Sequence, residues 1–205
     1  MNINHLKIKT LDFLSHRESI SRYKQLMKSQ YYSYDKLLHL QTLKLKKIIS
    51  HAYNTTKYYK IMMDNHKIKP DDIQTIKDLE RLPIITKKDI KKMPMSFISS
   101  DIKKLRPVKK MTGGSTGSPL EYWISRNVEG FLWGSIWRAW NVGGYLPADR
   151  VVVFAGDSLV KKGPKHYAYH FLNNWECHGI TNLDEENLFN MFQVIKRNPK
   201  IMIYG

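Results

Sequence analysis

Met111-Thr112-Gly113-Gly114-Ser115-Thr116-Gly117-Ser118-Pro119-Leu120 is the stretch on which the reading of this sequence turns. Gly113, Gly114 and Gly117 interleave with the hydroxyl residues Thr112, Ser115 and Thr116. Glycine lets a backbone take positive φ and approach a ligand without a Cβ clash. Successive amide N–H groups can then point inward as an anion nest, while the hydroxyls donate to phosphate oxygens. Pro119 stiffens the exit. The stretch is not a Walker A loop, because no Lys-Ser/Thr pair follows its last glycine. Nor is it a dinucleotide fingerprint, because a strand-like segment rather than a helix comes next. Two readings of the residues stay open: a phosphate-binding loop, or a plain Gly/Ser hairpin turn.

Working outward, Val108 to Met111 and Leu120 to Ile124 read as strands on either side of the loop. A helix follows, with Ser125 or Asn127 placed to cap it. Its apolar positions Phe131, Trp133, Ile136, Trp137 and Trp140 cover much of its circumference, which predicts burial on more than one side. Asn141-Val142-Gly143-Gly144 ends it. A turn over Pro147 to Asp149 leads through Arg150 into a strand, Val151 to Phe154. Asn187 to Lys196 reads as an amphipathic helix, and the segment from Pro199 to Tyr204 as a last strand.

Before about Lys109 the pattern is helical. Leu38, Leu45, Ile48, Ile49 and Ala52 recur at three- and four-residue spacings within the region Asp35 to Asn65. Asn54-Thr55-Thr56 interrupts that region, and a short helix resumes at Lys57. Thr75 to Leu79 reads as a brief helical turn. Thr86 is placed to cap a helix, with Asp89 completing a capping-box pair, and Pro94 ends it. The expectation is an α/β chain: a helical N-terminal region over residues 1–108, then an incomplete mixed sheet with covering helices over residues 109–205.

The chain has 205 residues, and 42% of them are hydrophobic, enough to form a core and to exclude disorder of the whole. No apolar run has the length of a membrane-spanning helix, the N-terminal residues lack the apolar stretch of a secretory signal, and Cys177 is a single cysteine. These features favour a cytoplasmic location. The net charge of +16 admits three readings: a solvated lysine-rich surface, contact with an anionic membrane, or nucleic-acid binding. Lysines occur along the whole chain and no nucleic-acid motif accompanies them, so the solvated surface is preferred. His166, His170, Cys177 and His178 are zinc-compatible in type, but their spacing fits no standard site, and no metal ligand is assigned. Trp133, Trp137 and Trp140 share one helix and read as core rather than as a base-stacking platform.

Thr112-Gly113-Gly114-Ser115-Thr116-Gly117-Ser118-Pro119-Leu120 resembles the Ser/Thr/Gly-rich signature of adenylate-forming enzymes. The resemblance is nearest to phenylacetate–CoA ligases and the CapK-type capsular polysaccharide biosynthesis proteins. Three other segments agree in order: His51 to Tyr59 with its paired tyrosines, the Leu-Pro then Thr-Lys-Lys-Asp element from Asp78 to Ile90, and Asn198 to Gly205. The resemblance implies a ligase that uses Mg2+ and ATP to activate a carboxylate as an acyl-adenylate. Thr112, Gly113, Gly114, Ser115, Thr116 and Gly117 would hold the ATP phosphates. Ser118 stands where many members carry lysine, which tilts the resemblance toward the CapK-like branch. The adenine pocket, the magnesium ligand and the C-terminal lysine of such enzymes have no counterpart positions in this sequence, so no catalytic residue is carried over. The expectation is therefore a fragment that adenylates little by itself, with a complementary C-terminal half as a partner. A catalytically inactive anion-binding or structural remnant is the second expectation.

Overall fold

The computed structural model describes residues 3–112, 119–156, 163–179, 184–197 and 202–204. Its helices are α1 (Ile3–Ser15), α2 (Ser19–Ser29), α3 (Tyr34–Thr55), α4 (Lys57–Asn65), α5 (Lys87–Lys92), α6 (Arg126–Trp140), α7 (Pro164–Asn173) and α8 (Glu185–Lys196). The strands are β1 (Pro107–Met111), β2 (Glu121–Ser125), β3 (Val151–Ala155), β4 (Trp175–Gly179) and β5 (Met202–Tyr204). β1 and β2 form an antiparallel pair, and β4-β3-β5 form a parallel sheet in that order. The class is α/β, mostly helical with small sheets. Among the described residues no helix is long and apolar enough to cross a membrane.

Two compact units emerge, one of residues 28–126 and one of residues 1–27 with 127–205. The expected division at 108/109 is not the one the chain makes. The reason is long-range packing: α1 and α2 give Ile8 and Ile20 to the same core as Val151 and Val153. Local periodicity carries no signal of a pairing between segments so far apart in sequence.

In residues 28–126 the core is Leu45, Met62, Met63, Ile68 and Ile73. The break foreseen at Asn54 to Thr56 falls between α3 and α4. Thr56 is extended there and bridges Ser99, while the Ser100 amide donates to the Thr55 carbonyl at 2.7 Å. Tyr58 stacks on Phe97 with centroids 4.0 Å apart, and Tyr59 meets the same ring edge-on. The paired tyrosines thus pack as apolar surface. The capping box at α5 forms as expected: Thr86 Oγ1 accepts from the Asp89 amide at 3.3 Å, and the Asp89 carboxylate accepts from the Thr86 amide at 2.8 Å. Those bonds to Thr86, side chain first, hold the Asp89 carboxyl below the usual carboxylate range.

In the other unit β3 is the central strand, and Val151 to Phe154 are buried along its length. Period-2 alternation sends Val151 and Val153 to the face shared with Ile8, Ile20 and Trp137. Phe154 takes the opposite face, beside His178. α6 begins at Arg126, so Asn127 lies inside the helix rather than capping it. Its Oδ1 accepts from Arg22 Nε at 3.0 Å. Partial burial of Phe131, Trp133, Ile136 and Trp140 leaves an exposed stripe at Val128, Leu132 and Ala139.

Two small residues set how closely α6 approaches the N-terminal helices. A Cβ on Gly130 would sit 1.5 Å from the Arg17 carbonyl oxygen, and one on Gly134 2.8 Å from the Tyr23 amide nitrogen. Both obstacles are backbone, which cannot swing away. The bend that Gly130 meets is itself tight, since His16 and Glu18, on either side of Arg17, both have positive φ, at 54° and 57°. Gly130→Ala is expected to destabilise the protein by roughly 3 kcal/mol. Gly143→Ala, which meets nothing within 4 Å, is expected to change stability by less than about 0.5 kcal/mol. Urea denaturation of the two variants checks the contrast.

Candidate functional site

The β1–β2 hairpin presents the glycine-rich loop. Its ladder runs from Pro107 opposite Ser125 to Met111 opposite Glu121. One step beyond, the Thr112 amide donates to the Leu120 carbonyl at 3.0 Å, and the Leu120 amide donates to Thr112 Oγ1 at 2.9 Å. The Thr112 side chain therefore replaces a backbone acceptor and closes the base of the loop. Its hydroxyl proton stays available for a further acceptor. Gly113, Gly114, Ser115, Thr116 and Gly117, together with Ser118, lie outside the described residues. Of the six expected phosphate-binding residues, Thr112 is the one whose placement is described, at the neck of the loop.

Charge around the neck is arranged by the strands. Lys109 Nζ reaches Glu121 Oε2 across the hairpin at 2.8 Å and lies 5.9 Å from the centroid of Trp123. Both partners are about half exposed, so the pair fixes register more than it stabilises. This diagonal pairing depends on the strand register, in which Lys109 lies opposite Trp123 and Met111 opposite Glu121. Behind the hairpin is a cavity of about 230 Å3, lined among others by Thr56, Phe97, Ile102, Pro107, Tyr122 and Ile124. Its lining is mainly apolar, with Thr56, Ser99, Glu121 and Ser125 among its polar residues.

The other constellations resolve into packing. Arg150 pairs with Glu176, and His178 Nε2 lies 3.1 Å from Glu176 Oε1. Burial alone would raise the Glu176 carboxyl, but the bonds and charges of Arg150 and His178 outweigh it and leave the group below its ordinary value. Arg150 thus has a carboxylate partner on the neighbouring strand. His170 stacks on Trp175, and burial, with a smaller contribution from His166, lowers its imidazole. Burial, with the nearby Glu176 charge, pushes the Cys177 thiol up. Among the described residues no group of three or more His, Cys, Asp or Glu is placed to hold a metal ion.

A feature that sequence reading missed is Arg17. It is 2% exposed, with Nη1 donating to the Tyr169 hydroxyl at 3.2 Å and Nε 4.0 Å from Asp12 Oδ1. Nothing in the local pattern marks Arg17 as buried, because the residues that cover it come from α6 and α7.

No family model matches the chain. In sequence the chain is similar to the phenylacetate–coenzyme A ligase of Escherichia coli strain K12, 27% identical over 132 residues, which are 64% of this chain and 30% of that protein. It is similar also to the phenylacetate–coenzyme A ligase of Aromatoleum evansii, 31% identical over 88 residues, covering 42% of this chain and 20% of that one. The chain thus spans less than a third of the length of these curated relatives. A crystal structure of 2-hydroxyisobutyryl-CoA ligase with 2-HIB-AMP and CoA aligns over 80% of this chain and 36% of that one, at a TM-score of 0.49 and 16% identity. The two sequence relatives support the resemblance at the level of adenylate-forming ligases, and neither bears the CapK name.

Thr112→Val removes the acceptor for the Leu120 amide while keeping the side-chain shape. The expected cost is about 1 kcal/mol, or roughly fivefold faster hydrogen exchange at the Leu120 amide. Thr112→Ser, which keeps the oxygen, is expected to exchange like the parent.

Proposed function

We propose that this chain is the front part of an ATP-dependent adenylate-forming ligase, in which Thr112, Gly113, Gly114, Ser115, Thr116 and Gly117 hold the phosphates of Mg-ATP. The observation that carries the reading is the closed hairpin neck: two hydrogen bonds between Thr112 and Leu120 pin both ends of a seven-residue connection rich in glycine and hydroxyls. The sequence similarity to two phenylacetate–coenzyme A ligases points the same way.

The residues suit an anion. A pinned loop with glycines in sequence can direct several amides to one point without paying for ordering long side chains. Hydroxyls at Thr112, Ser115 and Thr116 add donors whose partners on a phosphate are charged, which strengthens the bonds. The loop contains no carboxylate, so Mg2+ would be held through the phosphates and through groups other than these six residues. ATP supplies the α-phosphorus that a carboxylate attacks and the pyrophosphate that departs. The chain's contribution is to fix the phosphates in line and to offset the charge that collects on the leaving group.

Within this class we read the chain as CapK-like, of capsular or surface polysaccharide biosynthesis, on the small residue Ser118 where many members carry lysine. With serine there, the loop offers donors but no fixed cation to the leaving pyrophosphate.

Mg-ATP at about ten times its dissociation constant is expected to raise the melting temperature by roughly 3 °C. The double variant Ser115→Ala/Thr116→Ala is expected to lose that shift while melting at the parent temperature without nucleotide. A parent protein indifferent to Mg-ATP contradicts the proposal. A shift equally large with inorganic pyrophosphate alone, and none specific to the nucleotide, favours a simple anion-binding loop.

A further inference from the structure

α1 is apolar on two faces, and one of them is uncovered. Ile8 and Leu11 are buried and hold the helix in its unit. On the other side Ile3, Leu6, Phe13 and Leu14 remain 70%, 48%, 78% and 64% exposed. At 3.6 residues per turn these four fall on one stripe, with Thr10 between them, turned well away from the buried face. The same periodicity puts Lys7 on one flank of the stripe and Lys9 on the other. Asp12, the one acidic residue of α1, lies on the far side, where it accepts from the Ile20 amide at 2.9 Å and faces Arg17.

α7 extends the surface. Lys7 Nζ lies 4.0 Å from the centroid of the Phe171 ring, and Phe171 and Tyr167 are 63% and 64% exposed. α7 carries the exposed Lys165 and contains no acidic residue. The result is one continuous surface of exposed aromatic and aliphatic side chains bordered by lysines, on a chain of net charge +16.

We infer that this surface, the outer stripe of α1 with Phe171 and Tyr167 of α7, docks on an anionic lipid bilayer. Phe, Leu and Ile on one stripe enter the acyl boundary, while lysines on the flanks meet lipid phosphates. This is the arrangement by which a helix lies in a membrane interface rather than crossing it. Because Ile8 and Leu11 already anchor α1, the surface is formed before contact, and binding need not order a helix. A protein partner would be expected to answer the lysines with specific carboxylates. A bilayer answers them with a diffuse negative field, which suits flexible lysines set around an apolar stripe. The inference is independent of the nucleotide reading.

Co-sedimentation of the purified chain with phosphatidylglycerol–phosphatidylcholine vesicles tests it, with pure phosphatidylcholine vesicles in parallel. The chain is expected to bind the anionic vesicles, to bind the neutral ones at least about tenfold more weakly, and to release as salt is raised. Phe13→Ser/Leu14→Ser is expected to weaken binding by about tenfold, and Lys7→Glu/Lys9→Glu to weaken it similarly. The serine substitutions fall at exposed positions, so circular dichroism and the melting temperature should stay at parental values. Absence of vesicle binding overturns the inference. So does binding that Phe13→Ser/Leu14→Ser leaves unchanged, or self-association that the same variant abolishes in the absence of lipid.

Discussion

A parallel strand buried on both faces has to be covered twice, and Val151 to Phe154 place that demand on the unit that contains them. Four large apolar residues in succession leave the strand no face for water. One cover is supplied from the start of the chain, by Ile8 of α1 and Ile20 of α2, together with Trp137 of α6. That assembly works because α6 carries glycine where it crosses the bend around Arg17. If either helix were held even an ångström farther out, the core would open and Arg17 would lose the cover that keeps it 2% exposed. The glycines, the strained bend and the buried strand are therefore one constraint expressed at three places.

The second unit rests on a different principle. Its hairpin is short, and a two-stranded pair is marginal alone. The side chains of Phe97, Ile102 and Tyr122 lie around the cavity behind it. The Thr56–Ser99 bridge and the tyrosines packed on Phe97 tie the segment before the hairpin to the helices. The candidate site is thus carried by the β1–β2 pair, beyond which Thr112 and Leu120 are hydrogen-bonded to each other.

Much of the local structure was legible in the sequence, and for local reasons. The capping box at Thr86 and Asp89, the break at Thr56, the strands flanking the glycine-rich loop and the ends of α6 are each written within a few neighbouring residues. What was not legible depends on partners far away along the chain. The grouping of α1 and α2 with β3, the role of Gly130 against Arg17, and the burial of Arg17 belong to this class. An isolated glycine in a helix reads as a small cost in propensity, and only the backbone opposite it gives the reason. At the site, the strands that carry the loop were legible from residue types, and Thr112's part in closing the neck was not, because it rests on the hairpin register.

The central claim is that the loop closed by Thr112 and Leu120 holds the phosphates of ATP through its own backbone. Titrating Mg-ATP into the chain labelled with 15N at glycine reads this directly. The account predicts that the amide resonances of Gly113, Gly114 and Gly117 move together and saturate at one dissociation constant, while those of Gly130 and Gly134 stay in place. Resonances of Gly113, Gly114 and Gly117 that do not move under nucleotide, or that move only after glycines elsewhere have saturated, would contradict it.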